Sequence, residues 1–171
     1  MRLASILLLG GALAACQNLP SDAPHASATL QPSKGARTAG RADFYEVGKR
    51  VRVVADVSGL TPGREHGFHV HEAGDCSSGD GMSAKGHFNP QGKPHGDPRG
   101  SERHAGDMPM LRADASGNAK LDTELDLMTV TAGPTSVVGR GLIVHADPDD
   151  YKTQPTGNAG ARLACAVIQR R

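Results

Sequence analysis

The stretch HVHEAGDCSSGDGMSAKGHFNPQGKPHGDPRGSERHAGD, residues 69–107, organises the whole chain. It is rich in Gly, Pro, Ser and Asp and lacks helical or strand periodicity, so it predicts a long loop. A loop of this length in a small domain is uncommon unless it serves a function or something orders it. It contains five of the eight histidines: His69, His71, His87, His95 and His104. A bound metal would order the loop and account for these histidines together.

Short strands are predicted on both sides of this loop. Residues 51–57 (VRVVADV) alternate between apolar and polar positions, and the Gly48-Lys49 pair before them predicts a hairpin turn. Other strands are predicted at residues 26–31, 42–47, 66–72, 108–112, 119–127, 141–145 and 162–168. A second long loop is predicted at residues 146–160. No segment has a helical apolar stripe, so the pattern indicates an all-β sandwich or barrel.

Size and charge limit the classes of protein that fit. The 171 residues are enough for one domain with a real core. There is no Trp and there are only three Phe and two Tyr, so Val, Leu, Ala and Gly must supply most of the packing. The formal net charge is +1 and no stretch is strongly basic, which argues against a nucleic-acid partner.

The N-terminal residues have the pattern of a signal peptide. Arg2 precedes an apolar run at residues 3–15, which is shorter than the roughly 20 residues that span a bilayer. The run ends in LAAC and resembles a bacterial lipobox, in which Cys16 is acylated and becomes the new N-terminus. The alternative is a simple secretory peptide cut after Ala15. Both predict an exported protein, located in the periplasm or cell envelope.

Three segments follow from this interpretation. Residues 1–15 are predicted to be the signal peptide, residues 16–25 a lipidated cysteine with a flexible tether, and residues 26–171 the folded domain. Lipidation would anchor the protein to a membrane. Because an oxidising compartment favours disulfides, the other two cysteines, Cys76 and Cys165, are predicted to pair.

The histidines are spaced as metal ligands. His69 and His71 are two residues apart on a predicted strand, so both side chains point to one face. Imidazole nitrogens suit copper and zinc, and His87 and His145 would complete a four-histidine set. A second set, with one carboxylate, suits zinc: His95, His104 and Asp107. One loop histidine by itself is usually an ordinary solvated residue, so the argument depends on the whole constellation.

Six motifs in this constellation resemble one family. GFHVHE, GHFNP, HGDP, RHAGD, LIVHAD and GNAGARLAC are similar to the copper/zinc superoxide dismutases in their exported bacterial form. The resemblance covers residues 51–168 and is loose in the N-terminal strand. It implies a Greek-key β-sandwich, or flattened eight-stranded barrel, with two long functional loops. It also implies copper and zinc as cofactors and superoxide as the substrate.

The resemblance assigns a role to each matching position. The copper ligands would be His69, His71, His87 and His145. The zinc ligands would be His87, His95, His104 and Asp107, with His87 bridging both metals and taking part in catalysis. Arg162 would attract and orient the substrate anion, and Thr156 would flank the channel opposite it. Asp149 would link a copper ligand to a zinc ligand, and Cys76–Cys165 matches the family disulfide.

The implied reaction is dismutation of superoxide to dioxygen and hydrogen peroxide by a redox-cycling copper beside a structural zinc. One alternative is a non-catalytic copper- and zinc-binding protein of the same fold, which would need neither Arg162 nor Thr156. Another is a structural β-domain whose histidines are incidental. His25 and His66 have no role in the family and are interpreted as ordinary residues. The sequence does not decide between a monomer and a homodimer.

Overall fold

The computed structural model describes residues 24–171. The predicted signal peptide, the lipidation site Cys16 and most of the predicted tether lie outside the described residues. The strands are β1 (His25–Pro32), β2 (Ala39–Val47), β3 (Arg50–Ser58), β4 (Glu65–His66), β5 (Phe68–His71), β6 (Leu111–Arg112), β7 (Ala119–Leu125), β8 (Gly141–His145), β9 (Arg162–Val167) and β10 (Gln169–Arg170). Within residues 24–171 the helical structure is one 3-10 turn, Met82–Ala84. No helix there is long and apolar enough to cross a membrane.

Eight of the strands form one curled antiparallel sheet. Its order is β5-β8-β9-β1-β2-β3-β7, and β10 pairs with β1 beside this path. β1 pairs with β2 through its first residues and with β9 through Gln31 and Pro32, so it joins the two halves of the sheet. β4 and β6 form a separate two-stranded sheet. The crossovers confirm the predicted all-β, Greek-key, barrel-like fold.

The β2–β3 hairpin has the predicted form. Val47 pairs with Arg50, which leaves Gly48-Lys49 as a two-residue turn. Gly48 has φ +61°, a left-handed conformation that costs glycine little. Val51 and Val53 on β3 are fully buried, as the alternation predicted. The hairpin therefore contributes one complete face to the core.

The core contains the side chains that the composition predicted. Its largest fully buried members include Phe44, Phe68, Leu30, Leu142 and Met108. Valines and alanines from β1, β2, β3, β8 and β9 fill the remaining space, because Trp is absent. This packed sheet is the platform from which two loops, residues 72–110 and 146–161, carry most of the histidine and aspartate side chains described below.

Several predicted boundaries are wrong. The strand predicted at 66–72 is interrupted at Gly67, whose N–H donates to Asp147 and whose carbonyl accepts from His145, so the chain bonds to the second loop there. His66, interpreted as an ordinary residue, is fully buried, and its Nδ1–H donates to the His145 carbonyl at 2.8 Å. His25, assigned to the tether, is the first residue of β1.

The predicted disulfide is present. The Sγ atoms of Cys76 and Cys165 are 2.02 Å apart, and the bond joins residues separated by 89 positions. Cys165 lies on β9, whereas Cys76 lies in the loop of residues 72–110. The bond therefore ties that loop to the centre of the sheet.

Candidate metal centre

Two groups of buried side chains share one histidine. Each residue offers one ligand atom, and within each group these atoms all lie within 4.8 Å of one another. We call them the four-histidine group (His69, His71, His87 and His145) and the mixed group (His87, His95, His104 and Asp107). The structure therefore brings together all seven predicted ligand residues, in the two sets that the sequence suggested.

The residues of the two groups come from strands β5 and β8 of the sheet and from the loop of residues 72–110. His69 and His71 lie on β5, which pairs with β8, and His145 is the last residue of β8. Isolated backbone bridges place His87 opposite His71, and Asp107 opposite His69. The loop thus runs back along β5, and residues distant in sequence meet at one edge of the sheet.

In the four-histidine group, backbone carbonyls occupy one nitrogen of two rings. Nδ1–H of His71 donates to the Lys85 carbonyl at 2.8 Å, and Nδ1–H of His145 donates to the Gly160 carbonyl at 3.3 Å. The remaining Nε2 atoms of His71 and His145 carry lone pairs and lie 3.4 Å apart. Two lone pairs facing each other in a buried space favour a cation between them.

The other two rings of this group, His69 and His87, each have one buried nitrogen without a protein partner. Nε2–H of His69 donates to Asp149 at 2.6 Å, which leaves its Nδ1 buried without a partner. Nε2 of His87 is also buried without a partner. Buried polar atoms are rarely left unpaired without a reason. Together with the facing Nε2 atoms of His71 and His145, these two unpaired nitrogens fit a metal that prefers imidazole, such as copper.

The mixed group surrounds a single carboxylate oxygen. Oδ1 of Asp107 lies 2.8 Å from Nδ1 of His87, 3.0 Å from Nδ1 of His95 and 3.4 Å from Nδ1 of His104. Its Oδ2 accepts the backbone N–H groups of His104 and Gly96, at 2.8 and 3.1 Å. Three imidazoles and one fixed carboxylate form a donor set that suits tetrahedral zinc.

Burial keeps three rings of the four-histidine group uncharged, those of His71, His87 and His145. It lowers the pKa values of His71 and His145 well below their ordinary range, and neighbouring histidines add to the effect. Burial likewise lowers the pKa of His87 to about 4. These rings are therefore neutral at physiological pH, which is the form that binds metal.

The mixed group has the opposite electrostatic character. Burial disfavours a charge on His95, but hydrogen bonds to Asp107 and Asp149 outweigh it and raise the pKa of His95 to about 9. Burial alone would raise the pKa of Asp107, yet its three histidine partners hold it well below the usual range. Without a metal, this group balances a buried anion with a protonated imidazole.

Asp149 connects the two groups. Its Oδ2 accepts from Nε2 of His69 at 2.6 Å, and its Oδ1 accepts from Nε2 of His95 at 2.9 Å. Gly157 packs directly against this link, because a Cβ there would lie 1.8 Å from Oδ1 of Asp149, and its φ is +66°. The sequence analysis gave Gly157 no role, although it is the first residue of the GNAGARLAC motif.

Arg162 is fixed beside the four-histidine group. Its guanidinium donates to the carbonyls of Gly81 at 2.7 Å and Lys85 at 2.6 Å. The Lys85 carbonyl also accepts from His71, so one backbone oxygen positions both the arginine and a ring of the group. Burial lowers the pKa of Arg162, but a guanidinium still remains charged at neutral pH.

Thr156 is the predicted site residue with the fewest contacts. It is half-buried in the turn of residues 154–158, within the second loop. Its hydroxyl has no partner in the hydrogen-bonded network of the two groups, as far as residues 24–171 show it. Its place beside a channel therefore stays a prediction.

Comparison with known proteins identifies the family. The family model for copper/zinc superoxide dismutase matches residues 38–168, which is most of the chain. The chain belongs to the copper/zinc superoxide dismutase family. A curated superoxide dismutase [Cu-Zn] from Paramecium bursaria Chlorella virus 1 is 45% identical over 135 residues, which cover 75% of this chain and 71% of the viral protein.

Two further relatives extend this result. The extracellular superoxide dismutase [Cu-Zn] of Brugia pahangi is 41% identical over 138 residues, covering 75% of this chain and 68% of that protein. A crystal structure described as that of the clock protein EA4 superposes with a TM-score of 0.78 and is 36% identical. The superposition covers 89% of this chain and 98% of the other. The predicted fold, enzyme class and copper and zinc cofactors are confirmed.

Proposed function

We propose that this protein converts two superoxide anions and two protons into dioxygen and hydrogen peroxide. The observation that carries the proposal is the pair of buried ligand groups that share His87. A protein that only stored metal would gain nothing from two different donor sets joined through one ring. Membership of the superoxide dismutase family and the fixed arginine beside the four-histidine group support the same reaction.

The two groups hold different metals. The four-histidine group would hold copper, because four imidazoles suit both Cu(I) and Cu(II). The mixed group is the zinc site, because it contains one carboxylate. Copper supplies the one-electron oxidation of one superoxide and the one-electron reduction of the next, whereas zinc supplies charge and order without redox chemistry.

Arg162 binds and orients the substrate. Its positive charge attracts superoxide, and the two carbonyls of Gly81 and Lys85 fix its guanidinium. Local positive charge of this kind raises the encounter rate of small anions by roughly 10–1000-fold. Thr156 lies across the channel from Arg162 in this proposal and limits the width of the approach.

In this proposal His87 carries a proton, and Asp149 positions the rings of His69 and His95. Nε2 of His87 faces the four-histidine group and has no protein partner, so it would be a copper ligand there and, once free of copper, would hold the proton that passes to the departing peroxide. Nδ1 of His87 stays on the side of Asp107. Asp149 accepts from Nε2 of both His69 and His95, and so orients the two rings with their Nδ1 atoms toward the two sites.

The test measures metals and activity on the same purified protein. After reconstitution we expect one copper and one zinc per chain and rapid consumption of superoxide. Arg162→Glu should keep both metals and lose most of the activity, because the substrate then meets a negative charge. Full activity in that variant, with its metal content confirmed, would contradict the role of Arg162.

A matched control separates local charge from net charge. Lys49→Glu changes the net charge by the same amount, but in the exposed turn of the β2–β3 hairpin. This variant should keep nearly full activity at physiological ionic strength, where distant charges are screened. Both metals bound without activity in the unmodified protein would favour the alternative, a non-catalytic copper- and zinc-binding protein.

We also propose that the protein is exported and anchored by a lipid on Cys16. The supporting observations are the signal-like residues 1–15 with the LAAC motif, the Cys76–Cys165 disulfide and a relative named as extracellular. Expression of the full chain in a bacterium should give a mature N-terminus at an acylated Cys16, as read by mass spectrometry. Cys16→Ser should release the protein from membranes; unchanged membrane association would contradict the anchor.

A further inference from the structure

A methionine lies behind Asp149, the carboxylate that links the two metal-ligand groups. The backbone N–H of Asp149 donates to Sδ of Met110 at 3.2 Å. The carboxylate of the same residue then reaches His69 and His95. The thioether is therefore the acceptor that fixes the backbone of Asp149, at one remove from the ligands.

Tyr151 closes this arrangement into a ring of hydrogen bonds. The backbone N–H of Met110 donates to Oη of Tyr151 at 3.3 Å, and the backbone N–H of Tyr151 donates to Oδ1 of Asp149 at 2.7 Å. Met110, Asp149 and Tyr151 thus join the end of the first loop to the second loop. A change at the sulfur atom of Met110 therefore acts on Asp149 through hydrogen bonds. It acts directly at the backbone N–H of Asp149, and at the carboxylate through Tyr151.

Met110 differs from the other methionines of the described chain in its access to solvent. Met108 and Met128 are 0% and 1% exposed, and Met82 is 60% exposed. Met110 is partly buried, at the wall of an open surface cavity of about 260 Å³. The other residues of this wall are Pro98, Arg99, Pro109, Arg112 and Tyr151. A small neutral oxidant that enters this cavity from solvent therefore meets the side chain of Met110.

We infer that Met110 is a positioning residue for Asp149 and a site of oxidation by hydrogen peroxide. In the reaction the O–O bond of peroxide breaks, an S–O bond forms, sulfur loses two electrons and water leaves. The inference rests on the proposed function for the source of peroxide, which is the product of dismutation. Conversion of a thioether to a sulfoxide changes an apolar group into a polar one.

The geometry predicts the effect of this oxidation. An oxygen added to the sulfur lone pair that faces this N–H would stand between the two atoms, and the S···N separation of 3.2 Å leaves no room for it, because that oxygen would itself lie about 2.9 Å from the nitrogen. Either the backbone of Asp149 moves away or the side chain of Met110 rotates out of contact. Both movements weaken the hold of Asp149 on His69 and His95. We then expect zinc to be released faster, and the visible spectrum to change when cobalt replaces zinc in the mixed group.

Three variants of the full chain, loaded with copper and zinc, test the inference. Met110→Leu keeps the volume but removes the acceptor, whereas Met110→Gln keeps an acceptor that peroxide does not oxidise. Met82→Leu removes the most exposed methionine of the described residues as a control. Each protein is treated with added peroxide, and then peptide mass shifts and zinc release to a chromogenic chelator are measured. Parallel samples with cobalt in place of zinc give the visible spectrum of the mixed group.

We expect unmodified protein to gain one oxygen on Met82 and on Met110, and to release zinc several-fold faster as Met110 is converted. The effect should stay below the roughly 10–100-fold loss typical of direct partners of metal ligands. Met110→Leu should release zinc faster without peroxide and show an altered cobalt spectrum. Met110→Gln should restore both properties and resist peroxide, while Met82→Leu should behave as the unmodified protein.

Three results would overturn the inference. One is an unoxidised Met110 when Met82 is fully converted. Another is unchanged zinc release and cobalt spectrum in Met110→Leu. The third is a Met110→Gln variant as defective as Met110→Leu, which would assign the effect to packing. Because peroxide is added and zinc is measured, failure of dismutation itself would be seen separately.

Discussion

The β2–β3 hairpin and the loop of residues 72–110 bury their side chains in opposite ways. The hairpin buries Phe44, Val51 and Val53, and these contacts need no ligand. The loop buries His87, and also Asp107, which is only 1% exposed. Burying a charged or polar group is costly unless it is paired. The hairpin therefore needs no ligand to hold its place in the core, whereas the loop depends on the cations that its own side chains are arranged to receive.

The loop has a second support that the hairpin does not need, the Cys76–Cys165 disulfide. Replacing both cysteines with serine should have the largest effect on stability. Because the bond closes a chain of 89 positions, the chain-entropy relation predicts a loss of about 4–5 kcal/mol. Urea unfolding of the two proteins at equal metal content measures the difference.

Hydrogen exchange on the same pair of proteins locates the loss. Amides of the loop should exchange faster in the serine variant, while amides of the β2–β3 hairpin should change only through global unfolding. A uniform increase over the whole sheet, with no excess in the loop, would mean that the disulfide acts on the entire fold rather than on this region.

Removal of the metals should have the next largest effect. A ligand present at 1,000 times its dissociation constant adds about 4 kcal/mol to the stability of the state that binds it. After chelation, the N–H groups of Gly96 and His104, which donate to Asp107, should lose protection from exchange. The β2–β3 amides should keep theirs below the unfolding temperature. Equal loss in both regions would refute the division between them.

The β2–β3 hairpin and the loop of residues 72–110 also differ in how much of each could be predicted from the sequence. The alternation at residues 51–57 and the Gly48-Lys49 turn predicted the hairpin, because local pattern determines both. The resemblance supplied the ligand residues of the loop. The break at Gly67 and the burial of His66 were missed, because bonds to Asp147 and His145 cause them. Asp147 and His145 are distant in sequence and come close to these residues only in the folded protein, so a local sequence pattern does not indicate the contacts.

The supports of the site were the hardest part to predict. The Lys85 carbonyl positions both His71 and Arg162, yet a backbone oxygen has no signature in the sequence. Met110 has the side chain of an ordinary core residue, and only its contact with Asp149 distinguishes it. Sequence patterns thus indicated the candidate ligands and Asp149, but not the backbone carbonyl and the thioether that position them.

A substitution in the hairpin should give a smaller loss, without effect on the metals. Val53→Ala removes two buried carbon atoms from the core, which predicts a loss of about 2–3 kcal/mol once the cavity is included. Copper and zinc content of the folded protein should not change. Thermal unfolding and metal analysis on one sample measure both.

The same strand provides the control for this change. Val54 faces the other side of β3 and is only partly buried. Val54→Ala should therefore cost less than about 1 kcal/mol. If the two variants were equally destabilised, burial on one face of β3 would not be the source of the hairpin's stability.

A carboxylate on the hairpin holds another loop without any metal. Oε2 of Glu46 accepts the N–H groups of Val130 and Thr131 at 2.7 and 2.6 Å. Burial alone would raise the pKa of Glu46, but these two bonds outweigh it and hold the pKa below its usual range. The charged form is thus the one that the folded state favours.

Loss of this contact should have the smallest effect on the free energy of unfolding, and the effect should depend on pH. Because the folded pKa of Glu46 is depressed, its contribution is complete above the ordinary glutamate value, about 4.3, and is lost as pH falls through the folded value. Glu46→Gln should cost about 1 kcal/mol at neutral pH and almost nothing in acid. Urea unfolding as a function of pH measures this difference. Glu124→Gln, at an exposed ion pair 3.5 Å from Arg50, should show a weaker dependence. A constant deficit for Glu46→Gln down to acid pH would mean that shape, rather than charge, anchors this loop to the hairpin.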